Sequence, residues 1–409
     1  MKTPNKLTII NDPIYGFITI PNGLIFNLIE HKYFQRLRRI SQMGLSYLVY
    51  PGAHHTRFHH AIGCVHIMQK AMEKLEQKGV EISSEEKEAT LVAILLHDIG
   101  HGPFSHAMEN SIAEGVHHEQ ISLQFIEYLN SEFNGSLTLA LKIFKGTYHR
   151  PFLHQLVSGQ LDMDRTDYLK RDSFYTGMAE GNINTDRILA MLNVKDDELM
   201  VEEKGIYTIE KFLVARRLMY WQVYLHKTSL VAEQVLVKVL KRAKSLTEAG
   251  YKLPASTALG YFLKKKNAEG IFDQEALEVF SKLDDYDIIS AMKAWCEEDD
   301  FVLRTLCKTI IDRKLPRIKI KKKPFKTDFI QTERSRVKAH YNISDEEVDY
   351  FVFTGTLTNQ AYTLKKEAIN ILTKKGKVID VISASDQLSL KALSKVITKN
   401  YICYPKHLN

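Results

Sequence analysis

The adjacent pair His97 and Asp98 stands at the end of an apolar run and has the chemistry of a metal site. The run, residues 91–96, has the composition of a buried helix, and the glycines and proline of residues 100–103 then end that helix. A buried helix that ends in this way leaves its last polar side chains at the rim of a cavity. Imidazole and carboxylate groups together suit Mn²⁺, Fe²⁺, Zn²⁺ or Mg²⁺.

Other histidines and aspartates complete a ligand set for one metal ion. A histidine-rich stretch, residues 54–60, lies upstream of the pair, and an aspartate-rich stretch, residues 162–172, lies downstream. A mononuclear site needs three or four nitrogen or oxygen ligands from different elements and an open position for water. We predict that three helices supply this set, which consists of His60, His97, Asp98 and Asp164.

The apolar residues of most of the chain recur with helical spacing. We expect helices near residues 25–44, 58–76, 84–97, 103–114, 117–131, 136–144, 151–172, 209–247, 256–268, 274–297 and 299–312. The pattern predicts strands or hairpins at residues 7–10 with 17–21, 199–201 with 205–207, 317–321, 348–353, 368–372 with 378–382, and 401–404. A last helix is expected at residues 388–397.

This order of elements predicts a mainly α fold with a smaller α/β tail. We divide the chain into an N-terminal arm and first helix packed on the core (1–48), a helical catalytic body (49–315) and a C-terminal α/β subdomain (316–409). The basic run 313–326 alternates like a strand with one solvated face, which we favour over a nucleic-acid surface.

The composition is that of a soluble protein without a disulfide framework. The 409 residues are 44% hydrophobic and carry 56 basic and 49 acidic side chains, a net charge of +7 that fits a phosphate-bearing ligand. Four widely separated cysteines have neither zinc-site nor disulfide spacing. No secretory signal and no apolar run of about 20 residues is present, so we expect a cytoplasmic protein that does not span a membrane.

The longer motifs resemble those of a known family. His60, the pair His97-Asp98 and Asp164 resemble the metal ligands of the HD superfamily of metal-dependent phosphohydrolases. The strings HDIGHGPFSH (97–106) and DMDRTDY (162–168) narrow the resemblance to the deoxynucleoside triphosphate triphosphohydrolases, in the branch of the mammalian SAM-and-HD-domain enzyme. The resemblance covers about residues 7–230 clearly and identifies the helical body as an HD domain.

The resemblance implies a reaction and a proton donor. Water attacks the α-phosphorus of a deoxynucleoside triphosphate, and the products are the deoxynucleoside and inorganic triphosphate, with dGTP as the candidate for preferred substrate. His118 matches the general acid of the family, Glu109 matches its carboxylate partner, and His101 matches a position near the α-phosphate. The family commonly has aspartate where Glu109 stands.

The resemblance also implies contacts to the substrate. Arginines would neutralise the triphosphate, which carries Mg²⁺, and aromatic and polar groups would contact the sugar, with Tyr168 crowding its 2′ carbon. The matching residues are Gln42, Arg57, Arg165, Tyr168, Asp172, Arg216 and Tyr224. A bulky ring at the 2′ carbon would exclude ribonucleotides, so the implied substrate is deoxy.

Regulation and assembly are further implications of the resemblance. Arg36 and Arg38 match positions that bind an effector nucleotide in regulated relatives, whereas Glu30 and Thr8 depart from the activator pocket of the mammalian enzyme. The family assembles around its helical body, so we expect a dimer-based homo-oligomer, a tetramer or a hexamer.

Two alternatives stay open at this point. The first is a 5′-nucleotidase or phosphodiesterase that uses the same metal site, although a monophosphate needs fewer arginines. The second is a catalytically silent nucleotide-binding or nucleic-acid-binding regulator, against which the intact ligand set and the presence of both His118 and Glu109 argue.

Overall fold

A computed structural model of the chain describes residues 8–21, 23–109, 111–112, 115–265, 272–363, 368–386 and 393–406. The described part is mainly α-helical, as the sequence predicts. The predicted N-terminal extended arm is a hairpin of two antiparallel strands, β1 (Thr8–Asp12) and β2 (Gly16–Ile20). Among the described residues, no helix combines the length and apolar character that a membrane span requires.

The helical body follows the hairpin. Its helices are α1 (Leu24–Glu30), α2 (Lys32–Gln35), α3 (Arg57–Glu76), α4 (Ser84–Leu96), α5 (Ser105–Glu109), α6 (His118–Glu132), α7 (Thr138–Phe144), α8 (Pro151–Val157), α9 (Met163–Thr176), α10 (Thr185–Met191), α11 (Ile206–Met219), α12 (Lys227–Glu248), α13 (Thr257–Lys264), α14 (Gln274–Phe280), α15 (Asp285–Trp295) and α16 (Phe301–Ile311). Within this body, the strands β3 (Leu192–Lys195) and β4 (Glu198–Glu202) form a second hairpin.

The tail contains the remaining elements. They are β5 (Arg317–Lys321), α17 (Thr327–Tyr341), α18 (Asp345–Val348), β6 (Phe353–Asn359), β7 (Asn370–Leu372), β8 (Val378–Asp380), α19 (Val381–Ala384) and β9 (Ile397–Tyr404). One sheet has the strand order β5-β9-β6, and a second has the order β3-β4-β7-β8. Because β7 pairs in parallel with β4 of the body, the tail and the body share a sheet. The division of the chain into three regions stays a prediction.

Several helices that the sequence predicts as continuous are broken by a capping side chain. The segment 25–44 breaks at His31, whose extended backbone ends α1 and whose ring accepts a hydrogen bond from the amide of Tyr33. The segment 151–172 breaks at residues 158–162, where Asp162 accepts from the amides of Gly159 and Arg165 and starts α9. Side chains that bind backbone amides compete with helix continuation, and apolar spacing does not report them.

Two further predicted helices break for the same reason. The segment 209–247 passes through a π-helical turn at Tyr220–Tyr224 and restarts at α12, with His226 as the cap. The segment 274–297 breaks before Asp284, whose side chain accepts from the amide of Tyr286. The helix predicted at 103–114 is longer than the helix α5 that the structure has there. The helix predicted at 256–268 extends past the end of α13 and into residues outside the described ones.

Two strand predictions are wrong. The hairpin partner of β4 is β3, not residues 205–207, because Asp196 and Asp197 both have positive φ and form the tight turn between these strands. Gly205 instead caps α11, and residues 206 and 207 are the first two of that helix. The second wrong prediction is the strand at 348–353. Ser344 caps the short helix α18, which ends at Val348, and the strand β6 begins only at residue 353. Half of the helix expected at 388–397, residues 388–392, lies outside the described residues, and Ile397 begins β9.

The core of the body brings together the elements that carry the predicted site. Helix α3 packs against both α4 and α9. Residues 91–96 of α4 are all buried, as predicted. Close approach is possible because Gly63 of α3 has no side chain: a Cβ there would lie 2.2 Å from the side chains of Asp167 and Arg171. All four cysteines are free and buried.

Candidate metal centre and substrate pocket

The four predicted metal ligands lie together where α3, α4 and α9 meet. His60 Nε2 lies 3.1 Å from Asp164 Oδ1 and 3.7 Å from Asp98 Oδ2. His97 Nε2 lies 3.6 Å from Asp164 Oδ1 and 3.4 Å from Asp98 Oδ1. Side chains that are distant in sequence thus present two ring nitrogens and two carboxylates to one point.

Neighbouring acceptors orient both imidazoles toward this point. His97 Nδ1 lies 2.7 Å from the carbonyl oxygen of Ile94, and His60 Nδ1 lies 2.7 Å from Asp167 Oδ2. Each Nδ1 therefore donates its proton away from the centre, and each Nε2 presents a lone pair to it. His97 Nε2 is buried and has no hydrogen-bond partner among the described residues. A buried imidazole nitrogen without a hydrogen-bond partner is a suitable ligand for a divalent cation.

The charge state of Asp164 also fits a cation site. Burial alone would raise the pKa of this carboxyl, but its contacts with His60 and His97 outweigh burial and hold the pKa well below the usual range. Asp164 therefore stays ionised and available as an oxygen ligand.

Cys64 is a neighbour of this centre that sequence reasoning missed. Its Sγ lies 3.6 Å from Nδ1 of His60, one helical turn away on α3, and the thiol, both imidazoles and Asp164 form a group compact enough to hold a metal ion. Burial raises the pKa of the Cys64 thiol. The thiol is therefore protonated, and a protonated thiol is a poor ligand compared with the carboxylate of Asp98.

Asp98 connects the centre to two of the other predicted site residues. Its Oδ2 accepts from Arg57 Nη1 at 2.5 Å, and its Oδ1 lies 3.3 Å from His101 Nε2. Burial first, and then the charge of Arg57, lowers the pKa of His101 well below its ordinary value, so this ring is neutral. Asp98 is thus held by a cation on one oxygen and by an imidazole on the other.

The predicted proton donor and its carboxylate partner are in contact. His118 Nδ1 lies 2.9 Å from Glu109 Oε1, and the His118 ring stacks on His101 with 3.9 Å between centroids. The side chain of His118 is 25% exposed, whereas its neighbour His117 is 73% exposed. His118 begins α6, which approaches the end of α4 so closely that a Cβ on Gly100 would lie 2.3 Å from the His118 carbonyl oxygen.

A cavity of about 540 Å³ extends from this centre and is lined by all seven residues predicted to contact the substrate. Several polar atoms of its lining residues are buried and have no hydrogen-bond partner among the described residues. They are Oε1 of Gln42, Nε of Arg57, Nε of Arg165, Nε and Nη1 of Arg216, and Oγ of Ser229. Guanidinium nitrogens without a partner can donate hydrogen bonds to phosphate oxygens.

The other end of the cavity carries the groups expected at the sugar. Asp172 accepts from the Tyr224 hydroxyl at 2.7 Å and lies 2.7 Å from His55 Nε2. The rings of Tyr168 and Tyr224 meet edge to face, with 6.0 Å between centroids. A carboxylate has about four acceptor positions, so Asp172 keeps capacity for a further donor. The structure brings Gln42, Tyr168, Asp172 and Tyr224 together in one cavity, and their contact with a sugar stays a prediction.

Sequence reasoning missed Glu233, which lines the same cavity. Burial, and next the negative charge of Glu109, raises the pKa of the Glu233 carboxyl to about 7. The helix α12 contains many polar residues, so nothing in its sequence distinguishes Glu233 from the others. Sequence reasoning also missed His55 as the partner of Asp172, and Arg171 and Asp167 as buried supports of His60.

Arg36 does not occupy the position that an effector-binding residue needs. Its side chain is fully buried and donates to the carbonyl oxygens of Ile99 at 2.7 Å and Leu283 at 3.3 Å. The effector prediction is therefore corrected for Arg36, whose guanidinium joins main-chain segments of the body. Arg38 is exposed, donates to Gln35 and lies over the ring of Phe58.

Two family models match the part of the chain that forms this site. The model described as the HD domain matches residues 57–171, which include the four predicted metal ligands. The model described as the HD associated region matches residues 183–252, which include Arg216, Tyr224 and Glu233.

Individual proteins are similar over longer stretches. The crystal structure of a phosphohydrolase from Bacteroides thetaiotaomicron has a TM-score of 0.94 and 48% identity, covering 98% of this chain and 100% of that one. An uncharacterized protein of Bacillus subtilis is 35% identical over 315 residues, 75% of this chain and 70% of that protein. The SAMHD1 homolog of Dictyostelium discoideum, named a deoxynucleoside triphosphate triphosphohydrolase, is 31% identical over 271 residues. That match covers 61% of this chain and about half, 51%, of the relative.

Proposed function

Since this chain belongs to the HD-domain family of metal-dependent phosphohydrolases, we propose that it hydrolyses deoxynucleoside triphosphates to the deoxynucleoside and inorganic triphosphate. The observation that carries the proposal is the set of unpartnered guanidinium nitrogens of Arg57, Arg165 and Arg216 around one cavity. Arg57 and Arg165 also pair through Nη1 with the carboxylates of Asp98 and Asp162. A triphosphate, with about four negative charges, offers acceptor oxygens to the guanidinium donors that are left on all three arginines. The name of the Dictyostelium relative supports the same substrate class.

In this proposal His60, His97, Asp98 and Asp164 hold one divalent cation, which is Mn²⁺, Fe²⁺, Mg²⁺ or Zn²⁺. When bound, such a cation polarises a phosphoryl oxygen and lowers the pKa of a coordinated water. The substrate carries its own Mg²⁺ on the triphosphate. The imidazole orientation that supports this assignment comes from Ile94 and Asp167, which keep both Nε2 lone pairs pointed at the centre.

His118 is the proposed proton donor to the departing 5′-oxygen. Glu109 accepts from Nδ1, so Nε2 is the ring atom that carries the proton toward the substrate. The neutral ring of His101 stacks on His118 and lies beside Asp98, where it would limit the motion of the donor and face the α-phosphate.

The proposed sugar contacts account for a deoxy preference. Tyr168 would lie against the 2′ carbon, and Asp172 and Gln42 would bind the 3′-hydroxyl. Tyr224 donates to Asp172 and would fix the orientation of that carboxylate against the sugar. Three further parts of the proposal are supported only by the resemblance of the chain to its relatives. They are a preference for dGTP, activation by a nucleotide effector and a dimer-based oligomer.

The test is incubation of the full-length protein with each dNTP and each NTP, in Mn²⁺ and in Mg²⁺, followed by separation of triphosphate, pyrophosphate and phosphate. We expect equal amounts of deoxynucleoside and inorganic triphosphate. Release of pyrophosphate or phosphate would instead support a different phosphohydrolase, and metal-loaded protein without turnover would support a silent regulator.

Asp98→Ala is the matched control for a contaminating activity. We expect this variant to lose its bound metal and its turnover while its helical circular dichroism stays near that of the wild type, because Asp98 lies at a helix end rather than in the apolar core.

A further inference from the structure

A second, smaller cavity lies beside the N-terminal hairpin, on residues that the proposed function does not use. Its volume is about 200 Å³, and its polar lining comes from the hairpin turn, α3, α9 and the start of α10. These polar lining residues are Tyr15, His66, Lys70, Lys170, Thr185 and Asp186.

Two of these side chains offer buried polar atoms without a partner. His66 Nε2 and Thr185 Oγ1 are inaccessible to solvent, and neither has a hydrogen-bond partner among the described residues. Thr185 as a whole is only 4% exposed, whereas the Tyr15 hydroxyl interacts with the buried carboxylate of Asp167. A buried polar group without a partner destabilises a fold, and such groups are rare in native proteins, so two around one cavity indicate a bound group that satisfies them.

The charges around the cavity select the kind of ligand. Lys170 is half-buried and lies within ion-pair distance of no carboxylate among the described residues, while its Nζ lies 4.8 Å from the centre of the Tyr15 ring. Lys70 has only a loose pair, 3.8 Å, with Asp186, whose side chain is 83% exposed. Among the lining side chains, two lysines face one solvated carboxylate, and the buried carboxylates of Asp12 and Asp167 behind the cavity are already paired with Arg171. An anion with several acceptor oxygens satisfies the charge of the lysines and the hydroxyl and imidazole donors together.

We propose that this cavity binds a single small tetrahedral oxyanion, of the class of inorganic phosphate. Lys70 and Lys170 supply charge at its mouth, and the Thr185 hydroxyl and His66 Nε2–H donate from its floor. Burial lowers the pKa of Lys170, and the charge of Lys70 acts in the same direction while Asp186 opposes it. The site is separate from the proposed catalytic cavity, with which it shares no lining residue.

The experiment is equilibrium dialysis of the metal-free, full-length protein against radiolabelled inorganic phosphate at constant ionic strength. We expect Thr185→Val, which keeps the shape of the side chain, and Lys170→Gln each to weaken this binding about tenfold or more. The matched control is Lys293→Gln, which removes an exposed lysine of α15 and should bind as the wild type does. Arg165→Gln, in the catalytic cavity, should leave this binding class intact.

Any of three results would overturn the proposal. The first is that wild-type protein binds no phosphate, and the second is that the Thr185 and Lys170 variants bind phosphate within twofold of the wild type. The third is that Arg165→Gln alone abolishes phosphate binding. Lys70→Gln, at the solvated mouth, provides a second variant if Lys170→Gln fails to fold. Glycerol phosphate distinguishes a free ion from the end of a larger molecule: tighter binding of this monoester than of phosphate would contradict the assignment to a free ion.

Discussion

The carboxylate of Asp167 lies 2.7 Å from Nδ1 of His60, on the side of the ring that faces away from the predicted metal ligands. The same carboxylate accepts from Arg171 Nε at 2.8 Å and Nη2 at 3.0 Å, and Arg171 Nη1 donates to Asp12 at 2.8 Å. The side chains of all four residues are almost fully buried. The N-terminal hairpin is thereby connected through two ion pairs to a predicted metal ligand.

We expect Asp167→Asn to weaken metal binding. An amide is a poorer acceptor than a carboxylate, so it would hold the Nδ1 proton of His60 less firmly, and loss of such a support typically costs about 10- to 100-fold in metal affinity. Asp12→Asn should have a smaller effect, because Asp12 acts through Arg171. Metal affinity measured by competition with a chelator checks both, with the exposed Asp299→Asn as control. Unchanged affinity in Asp167→Asn would remove the positioning role.

His118→Ala should separate acid catalysis from metal binding. General acid catalysis typically contributes about 10²- to 10⁴-fold, so this variant should lose a rate factor in that range while keeping its metal and its affinity for substrate. Glu109→Ala should lose less, since it orients the ring. The two losses should be strongly non-additive, because Glu109 acts through His118.

Single-turnover rates, metal content and substrate affinity of both single variants and the double variant test this pair. His340→Ala, which removes an exposed histidine of α17, is the matched control. Loss of metal in His118→Ala, or rate losses that simply multiply, would show that His118 has another role.

Tyr168 should determine the preference for a deoxy sugar. We expect wild-type protein to hydrolyse dGTP far better than GTP, because the ring would occupy the space of the 2′-hydroxyl. Tyr168→Phe keeps the ring and should keep the preference, whereas Tyr168→Ala should reduce the ratio of kcat/KM values about tenfold or more. Equal rates on GTP and dGTP in the wild type would remove the steric explanation.

Much of this site could be predicted from the sequence because its ligands occur in short motifs on regular helices. The helices α3 and α4 lie where apolar spacing predicts them, and His60 and His97 follow from their positions on these helices. Asp162, His226 and Asp284 break longer helices through hydrogen bonds to amides, which periodicity does not report. A capping aspartate followed three residues later by another acid, as at residues 284–287, is a signal that could have predicted one of these breaks.

Contacts between segments that are distant along the chain could not be predicted from the sequence. The ion pair between Asp12 and Arg171 joins residues 159 positions apart, and no motif near either residue predicts it. Helix α17 was missed because it buries little apolar surface: only Glu333 and Val337 of its side chains are buried. The raised pKa of Glu233 depends on burial and on Glu109, both of which are properties of the folded chain.

Glu233 gives a prediction about stability and pH. Its pKa is raised from 4.5 to about 7, so the fold favours the protonated form. The stability that this group contributes is present below about pH 4.5 and is lost as the pH rises through about 7. Glu233→Gln stays uncharged, so its free energy of unfolding relative to the wild type should rise across this window by at most about 3 kcal/mol, from about 1.4 kcal/mol per pKa unit.

Urea unfolding of metal-free protein at several pH values in this window measures the difference. Glu275→Gln, an exposed glutamate of α14, is the control and should show no such rise. A constant difference between Glu233→Gln and the wild type across the window would mean that Glu233 ionises normally in the folded protein.

The most direct test of the proposed reaction is hydrolysis of dGTP in ¹⁸O-labelled water with mass analysis of both products. Attack of water on the α-phosphorus breaks the bond between that phosphorus and the 5′-oxygen, so one labelled oxygen should appear in inorganic triphosphate and none in deoxyguanosine. Label in deoxyguanosine, in a nucleotide, in pyrophosphate or in inorganic phosphate would contradict the proposed triphosphohydrolase activity.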